Sequence, residues 1–146
     1  MTSAYYDSTY LFKLQCQENG SFEVRAHAVT IDALYCSMHG RAEFVSACHR
    51  KVREGTATLI QLQTLLAQVS EDTKAGGLRW LPITEATISR VESVFSTASE
   101  TTYLRAADAM HLACAAENGF SEIYSNDRHL LAAAHLFGLR GVNVIP

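Results

Sequence analysis

The run AADAMHLACAA, residues 106–116, holds a single carboxylate among small and apolar side chains. Read as a helix, it sets Asp108 on the apolar stripe that carries Leu104, His111, Leu112 and Ala115. An ionised carboxylate is almost never fully buried without a partner. Three explanations stand open: an ion pair with Arg105 one turn earlier, a cap on a helix that begins later, or a place in a polar cavity. Two more aspartates raise the same question. Asp7 follows a short apolar stretch, SAYY, and Asp127 follows EIYS and precedes a helical pattern. Each has a plain alternative as a helix N-cap, a position aspartate favours. Three carboxylates gathered at one place would repel one another unless a cation lay between them. Hard divalent ions take oxygen ligands and keep several waters. Such an ion lowers the pKa of water and stabilises charge on a phosphoryl oxygen, so an acid cluster of this kind is suited to cutting phosphodiesters.

The elements that must position these acids alternate between strands and helices. Ser3–Tyr6 reads as a first strand, followed by a helix capped by Ser8 or Thr9 and running to Cys16. The segment Asn19–Thr30 has no clear period. A second strand falls near Ile31–Cys36, and Ser37 then caps a helix with Phe44, Val45, Cys48 and Val52 on its apolar face, ended by Gly55. LIQLQTLLAQV has strong helical spacing, whereas SEDTKAGG reads as a loop. LRWLPI is a third strand, and Thr84 caps a helix with Ile88, Val91, Val94 and Phe95 on one side. The Asp108 helix stops at Asn118–Gly119. EIYS is a fourth strand, RHLLAAAHLF a helix ended by Gly138, and VNVI a last short strand. Strands alternating with helices of this length imply crossover connections, a central, mostly parallel sheet and one three-layer α/β/α domain. Ligands of open parallel sheets bind at the carboxyl ends of the strands, where Asp7 and Asp127 fall.

The chain has 146 residues, 48% hydrophobic and 18% charged, enough for one domain with a substantial core. A formal charge of −3 is unlike that of proteins held to nucleic acid by bulk charge, yet leaves room for a local basic face. Cys16, Cys36, Cys48 and Cys114 form no CxxC pair and complete no zinc pattern with the histidines. They read as free thiols in a reducing, cytoplasmic setting. The N-terminus has no secretory pattern, and no apolar run reaches membrane-spanning length, so no membrane association is expected.

In order along the chain, YYDSTYLFKL, SMHGRAEFVSACHRK, RAADAMHLACAAENG and YSNDRHLLAAAHLFGLRGVNV resemble the PIN-domain ribonucleases. The likeness is strongest to the VapC-type toxins of toxin–antitoxin pairs, and DAMHLA followed by NDRHLLAAA is its most specific part. It covers almost the whole chain. It implies a PIN-like fold and an acidic quartet of Asp7, Glu43, Asp108 and Asp127 holding Mg2+ or Mn2+. It also implies an RNA substrate, a cognate antitoxin and a homodimer. By spacing alone Glu43 is no more notable than Glu54; its place in the quartet comes from the resemblance. Ser125 fills the family's Ser/Thr position two residues before the last acid, and Ser8 and Ser125 are expected to orient the carboxylates or water. Departures from the pattern are Met110 in the DALHLA block, Tyr6 before the first acid and Asn126 before the last. None removes a carboxylate.

A negative site needs cations to hold the RNA backbone. HRKVR, residues 49–53, with Arg41 earlier on the same helix, offers Arg41, Arg50, Lys51 and Arg53 as candidates, and Arg128 beside Asp127 adds another. The alternative for such a run is a solvated helix face. His111 reads as a core or supporting histidine, and Tyr10 as core. The rival functional reading is a non-catalytic RNA- or partner-binding module of the same fold. A phospho-acceptor domain is disfavoured because Lys13, Lys51 and Lys74 all lie far from the last strand.

Overall fold

The computed structural model describes residues 1–146 and contains five strands and seven α-helices. In order these are β1 (Ser3–Tyr5), α1 (Ser8–Gln15), α2 (Ser21–Ala28), β2 (Ala33–Ser37), α3 (Met38–Arg53), α4 (Leu59–Lys74) and β3 (Leu78–Leu81). Then come α5 (Glu85–Thr97), α6 (Ala106–Glu117), β4 (Glu122–Tyr124), α7 (Arg128–Ala133) with a 3-10 turn over Ala134–Phe137, and β5 (Arg140–Val142). All strand pairings are parallel. β2 lies between β1 and β3, β4 pairs with β5, and a single bridge, Tyr6 to Tyr124, joins the two groups.

Side-chain alternation along the strands sorts the core into two layers. Ala4, Tyr6, Leu34 and Cys36 face Tyr10, Leu11, Phe12, Val24, Phe44, Cys48, Leu62 and Val69 of α1 to α4. Tyr5 and Ile123 face Leu112, Ala113, Leu130 and Ala133 of α6 and α7, with Val91 and Val94 of α5 packed against them. Helices therefore cover both faces of the sheet, as a parallel sheet requires. No helix is long and apolar enough to cross a membrane.

The differences from the expected elements have local causes. Of the two caps the sequence offered for α1, Asp7 is the one used rather than Ser8 or Thr9: its side chain accepts from the Tyr10 N–H. Helix α4 continues through SEDTK, which was expected to be loop. No glycine or proline interrupts it before Gly76, Gln68 donates to Asp72 (2.9 Å), and Thr73 donates to the Val69 carbonyl (2.8 Å) while accepting from Trp80 Nε1 (3.0 Å). The last strand is Arg140–Val142 rather than VNVI. Gly141 permits this, because a Cβ there would lie 3.0–3.1 Å from Leu131. Val144 and Ile145 instead pack on the first core layer. The segment without a clear period contains α2.

Candidate active site

β1 and its bridge to β4 deliver Asp7 to the carboxyl end of the sheet, where its N–H donates to the Tyr124 carbonyl (3.1 Å). Its two oxygens have different work. Oδ1 caps α1, accepting from Tyr10 N (3.1 Å) and Thr9 Oγ1 (2.6 Å). Oδ2 accepts from Ser125 Oγ (2.5 Å) just beyond β4. Asp7 is 2% exposed, and burial raises its carboxyl pKa against the opposing pull of His111, Ser125 and Thr9.

Asp127 also divides its oxygens. Oδ1 caps α7 through His129 N (2.8 Å) and Leu130 N (3.3 Å). Its own N–H donates to Ser125 Oγ (2.9 Å), so this hydroxyl stands between the two aspartates. Its Oδ2 accepts from Arg105 (2.7 Å), and the same guanidinium donates to Asp108 Oδ2 (3.0 Å). Of the explanations open for Asp108, the Arg105 pair is present, and it reaches a second acid as well. Asp108 is 7% exposed. Burial raises its pKa and Asp127 adds to the rise, which the Arg105 pair only partly offsets.

Glu43 comes from α3, whose first turn is capped by Ser37 Oγ accepting from Gly40 N (2.9 Å). Its Oε1 lies 2.6 Å from His111 Nε2, one turn after Asp108 on α6. The Ser37 N–H donates to the Tyr5 hydroxyl (3.2 Å), which lies 2.9 Å from His111 Nδ1. An ionised Glu43 carboxylate can only accept, which makes His111 Nε2 the donor to it. Burial acts to raise the Glu43 carboxyl, but the hydrogen bond and charge of His111, with help from His39 and Ser8, hold it below its ordinary value. The buried Tyr5–His111 pair thus fixes the Glu43 carboxylate against α6. Spacing gave no hint of this, since the partners lie 106 and 68 residues apart.

Asp7, Ser125, Asp127, Arg105 and Asp108 form one unbroken chain of hydrogen bonds, and His111 links α6 to Glu43. No three acidic or imidazole groups stand close enough to hold an ion as they are arranged. The donor chemistry nevertheless suits a hard cation. The acids are oxygen donors, and a positive group already sits between two of them. His39 Nε2 is buried without a partner, 3.7 Å from Glu43.

The expected basic face divides around α3. Arg50 and Lys51 line a hollow of about 270 Å³ with Ser8, Thr9 and Asn126, chain neighbours of Asp7 and Asp127. Lys13 lines it too but is engaged by Glu18 (2.8 Å) and the Asn19 carbonyl (2.7 Å). Arg41 and Arg53 line a different hollow, with Arg41 stacked 5.1 Å from the Trp80 ring. Arg128 is exposed at the start of α7. Tyr10 is fully buried, and its hydroxyl donates to Asn143 Oδ1 (2.8 Å).

Several solved structures share this fold. VapC20 of Mycobacterium tuberculosis, a toxin that cleaves the sarcin-ricin loop, is 16% identical with a TM-score of 0.66, over 89% of this chain and 94% of that one. VapBC2 of Rickettsia felis, solved on a fragment of its promoter DNA, is 9% identical with a TM-score of 0.72, over 97% and 98%. FitAcB of Neisseria gonorrhoeae is 13% identical with a TM-score of 0.62, over 97% of each chain. No protein of curated function matches the sequence. The PIN domain family model matches residues 4–136, nearly the whole length, and the protein therefore belongs to the PIN domain family.

Proposed function

We propose that the protein is a divalent-metal-dependent endoribonuclease and the toxin of a toxin–antitoxin pair. The observation that supports this reading is the run of hydrogen bonds that joins Asp7, Asp127 and Asp108 through Ser125 and Arg105, with Glu43 tied to the Asp108 helix through His111. Asp7, Glu43, Asp108 and Asp127 would hold Mg2+ or Mn2+ once Arg105 turns outward. The chemistry such an ion would supply there is a more acidic water and neutralisation of charge on phosphoryl oxygens. The chain's own groups do the rest. Ser125 keeps Asp7 and Asp127 at a fixed separation. The Tyr5–His111 pair keeps Glu43 ionised and oriented. Arg50 and Lys51 grip the RNA backbone against the repulsion of the acids.

The solved relatives include two-component toxin–antitoxin assemblies, which supports a protein antitoxin as partner. The exposed Leu59 and Ile60 at the start of α4 supply apolar surface for an antitoxin or a second copy of the chain. We place the protein in the cytoplasm, where its RNA substrate is found.

The test is cleavage of end-labelled cellular RNA with Mg2+ against EDTA, for wild type and Asp7→Asn. Activity with Mg2+, lost in EDTA and in the variant, is the expected result. RNA bound but left intact by wild type under all conditions would favour the non-catalytic binding module instead.

A further inference from the structure

Cys16 and Cys48 meet well away from the acidic site. Cys16 ends α1 in an extended conformation and is half-buried; Cys48 sits mid-way along α3 and is buried. Their sulfurs are 4.0 Å apart, and both line an open hollow of about 800 Å³ between α1, α3 and the start of α4. A disulfide needs about 2.05 Å, a closure within reach of side-chain rotation at a helix end that borders open space. A hollow of this size admits a tripeptide-sized ligand. Lys51, one turn after Cys48, lines it and offers a charge for a ligand carboxylate.

We propose that Cys16 and Cys48 form a dithiol modification site that exchanges with small disulfides of the glutathione type. The Cys16 thiolate attacks one sulfur of glutathione disulfide, forms a mixed disulfide and expels one glutathione thiolate. Cys48 then gives up its proton to solvent and attacks the Cys16 sulfur, expelling the second glutathione thiolate. Two protein thiols become one Cys16–Cys48 disulfide, and one glutathione disulfide is reduced to two thiols.

The environment assigns these roles. The hydrogen bond from Cys48 lowers the Cys16 pKa, and the charges of Arg25 and Lys51 act in the same direction. The Cys48 thiol is pushed up by the same contact and by burial, which suits a second, resolving thiol. Cys36 and Cys114 are fully buried with raised pKa values and take no part. The bridge would tie the end of the helix that Asp7 caps to the helix that carries Glu43.

The experiment treats the full chain with glutathione disulfide, quenches in acid, and reads intact mass and non-reduced peptide maps. Wild type is expected to lose two hydrogens, carry a Cys16–Cys48 bridge within one chain and recover on reduction. Cys48→Ser should retain one glutathione on Cys16, and Cys16→Ser should stay unmodified, with circular dichroism confirming that each is folded. If Cys48→Ser does not fold, the wild-type map against Cys16→Ser decides alone. Stable glutathione adducts on wild type without a bridge, a bridge between chains or through Cys36 or Cys114, no reaction, or Cys16→Ser reacting as fast as wild type would each overturn the proposal.

Discussion

Gly40→Ala is the sharpest probe of how the acidic site is held. Gly40 lies in the first turn of α3, and a Cβ there would stand 2.6 Å from His111 Cε1, still closer to Cys36 Sγ, and 3.4 Å from Ser37 Oγ. Carbon atoms normally settle about 3.5–4.0 Å apart. Neither close neighbour has room to retreat, since Cys36 is 0% and His111 2% exposed. Overpacking of this kind costs about 1–3 kcal/mol, and two simultaneous clashes with buried groups place it near the upper end. Alanine in place of glycine returns about 1 kcal/mol of helix propensity. The net destabilisation is about 2 kcal/mol, which lowers the melting temperature of a domain this size by about 4–8 °C. Gly77 supplies the control, because a Cβ there meets nothing within 4 Å. Thermal melts followed by circular dichroism compare Gly40→Ala, Gly77→Ala and wild type. The shifted His111 also releases Glu43, so RNA cleavage should fall below what the loss of folded protein explains. A Gly40→Ala protein that melts with wild type and cleaves normally would refute the packing of α3 against His111.

Asp108 and Arg105 give a paired test. A folded-state pKa raised above the unfolded value means stability present below the unfolded carboxylate range, about pH 4, and lost as pH rises through the raised value. The melting temperature of Asp108→Asn minus that of wild type, measured in EDTA, should therefore grow more positive as pH rises through this window. A difference that shrinks would show that the Arg105 pair dominates. Arg105→Met removes the charge that already sits between Asp108 and Asp127, so half of the Mg2+-induced thermal shift should be reached at a lower Mg2+ concentration than in wild type. An unchanged titration would mean that the guanidinium does not compete with the ion. Arg50→Ala should weaken RNA binding across sequences and reduce the slope of log affinity against log salt by about one. An unchanged slope would remove Arg50 from the RNA path.

Much of the scaffold was legible because strong local signals mark it. Ser37 and Thr84 cap helices as their positions suggested, and Gly55 and Gly138 stop the chain where left-handed backbone is needed. SEDTK misled because it carries no apolar side chain to mark a helical stripe, and a polar run without glycine or proline reads the same as loop or helix face. Both Asp7 and the Ser8–Thr9 pair were open as caps for α1; Asp7 takes the role through Oδ1 and leaves Oδ2 to Ser125. The two explanations offered for Asp7 and Asp127 were never exclusive. Arg105 was visible as a partner for Asp108, three residues away, but its reach to Asp127 depends on tertiary structure. The support of Glu43 by His111 and Tyr5 arises only when β1, α3 and α6 pack together. HRKVR looked like one basic surface because its charges are contiguous; on a helix they point to two different hollows.

The seam in the sheet has a consequence for how the acids are spaced. β1–β3 and β4–β5 are stitched by the lone Tyr6–Tyr124 bridge, and Ser125 Oγ spans the same gap from Asp7 to the backbone of Asp127. The separation of these aspartates is thus set by how the two strand groups dock through the core layers they share, where Tyr5 packs with Ile123 and Tyr6 with Tyr124. Substitutions buried in either layer, remote from any carboxylate, can retune that separation without unfolding anything, and the Ser125 hydroxyl is the latch on which such adjustment pivots.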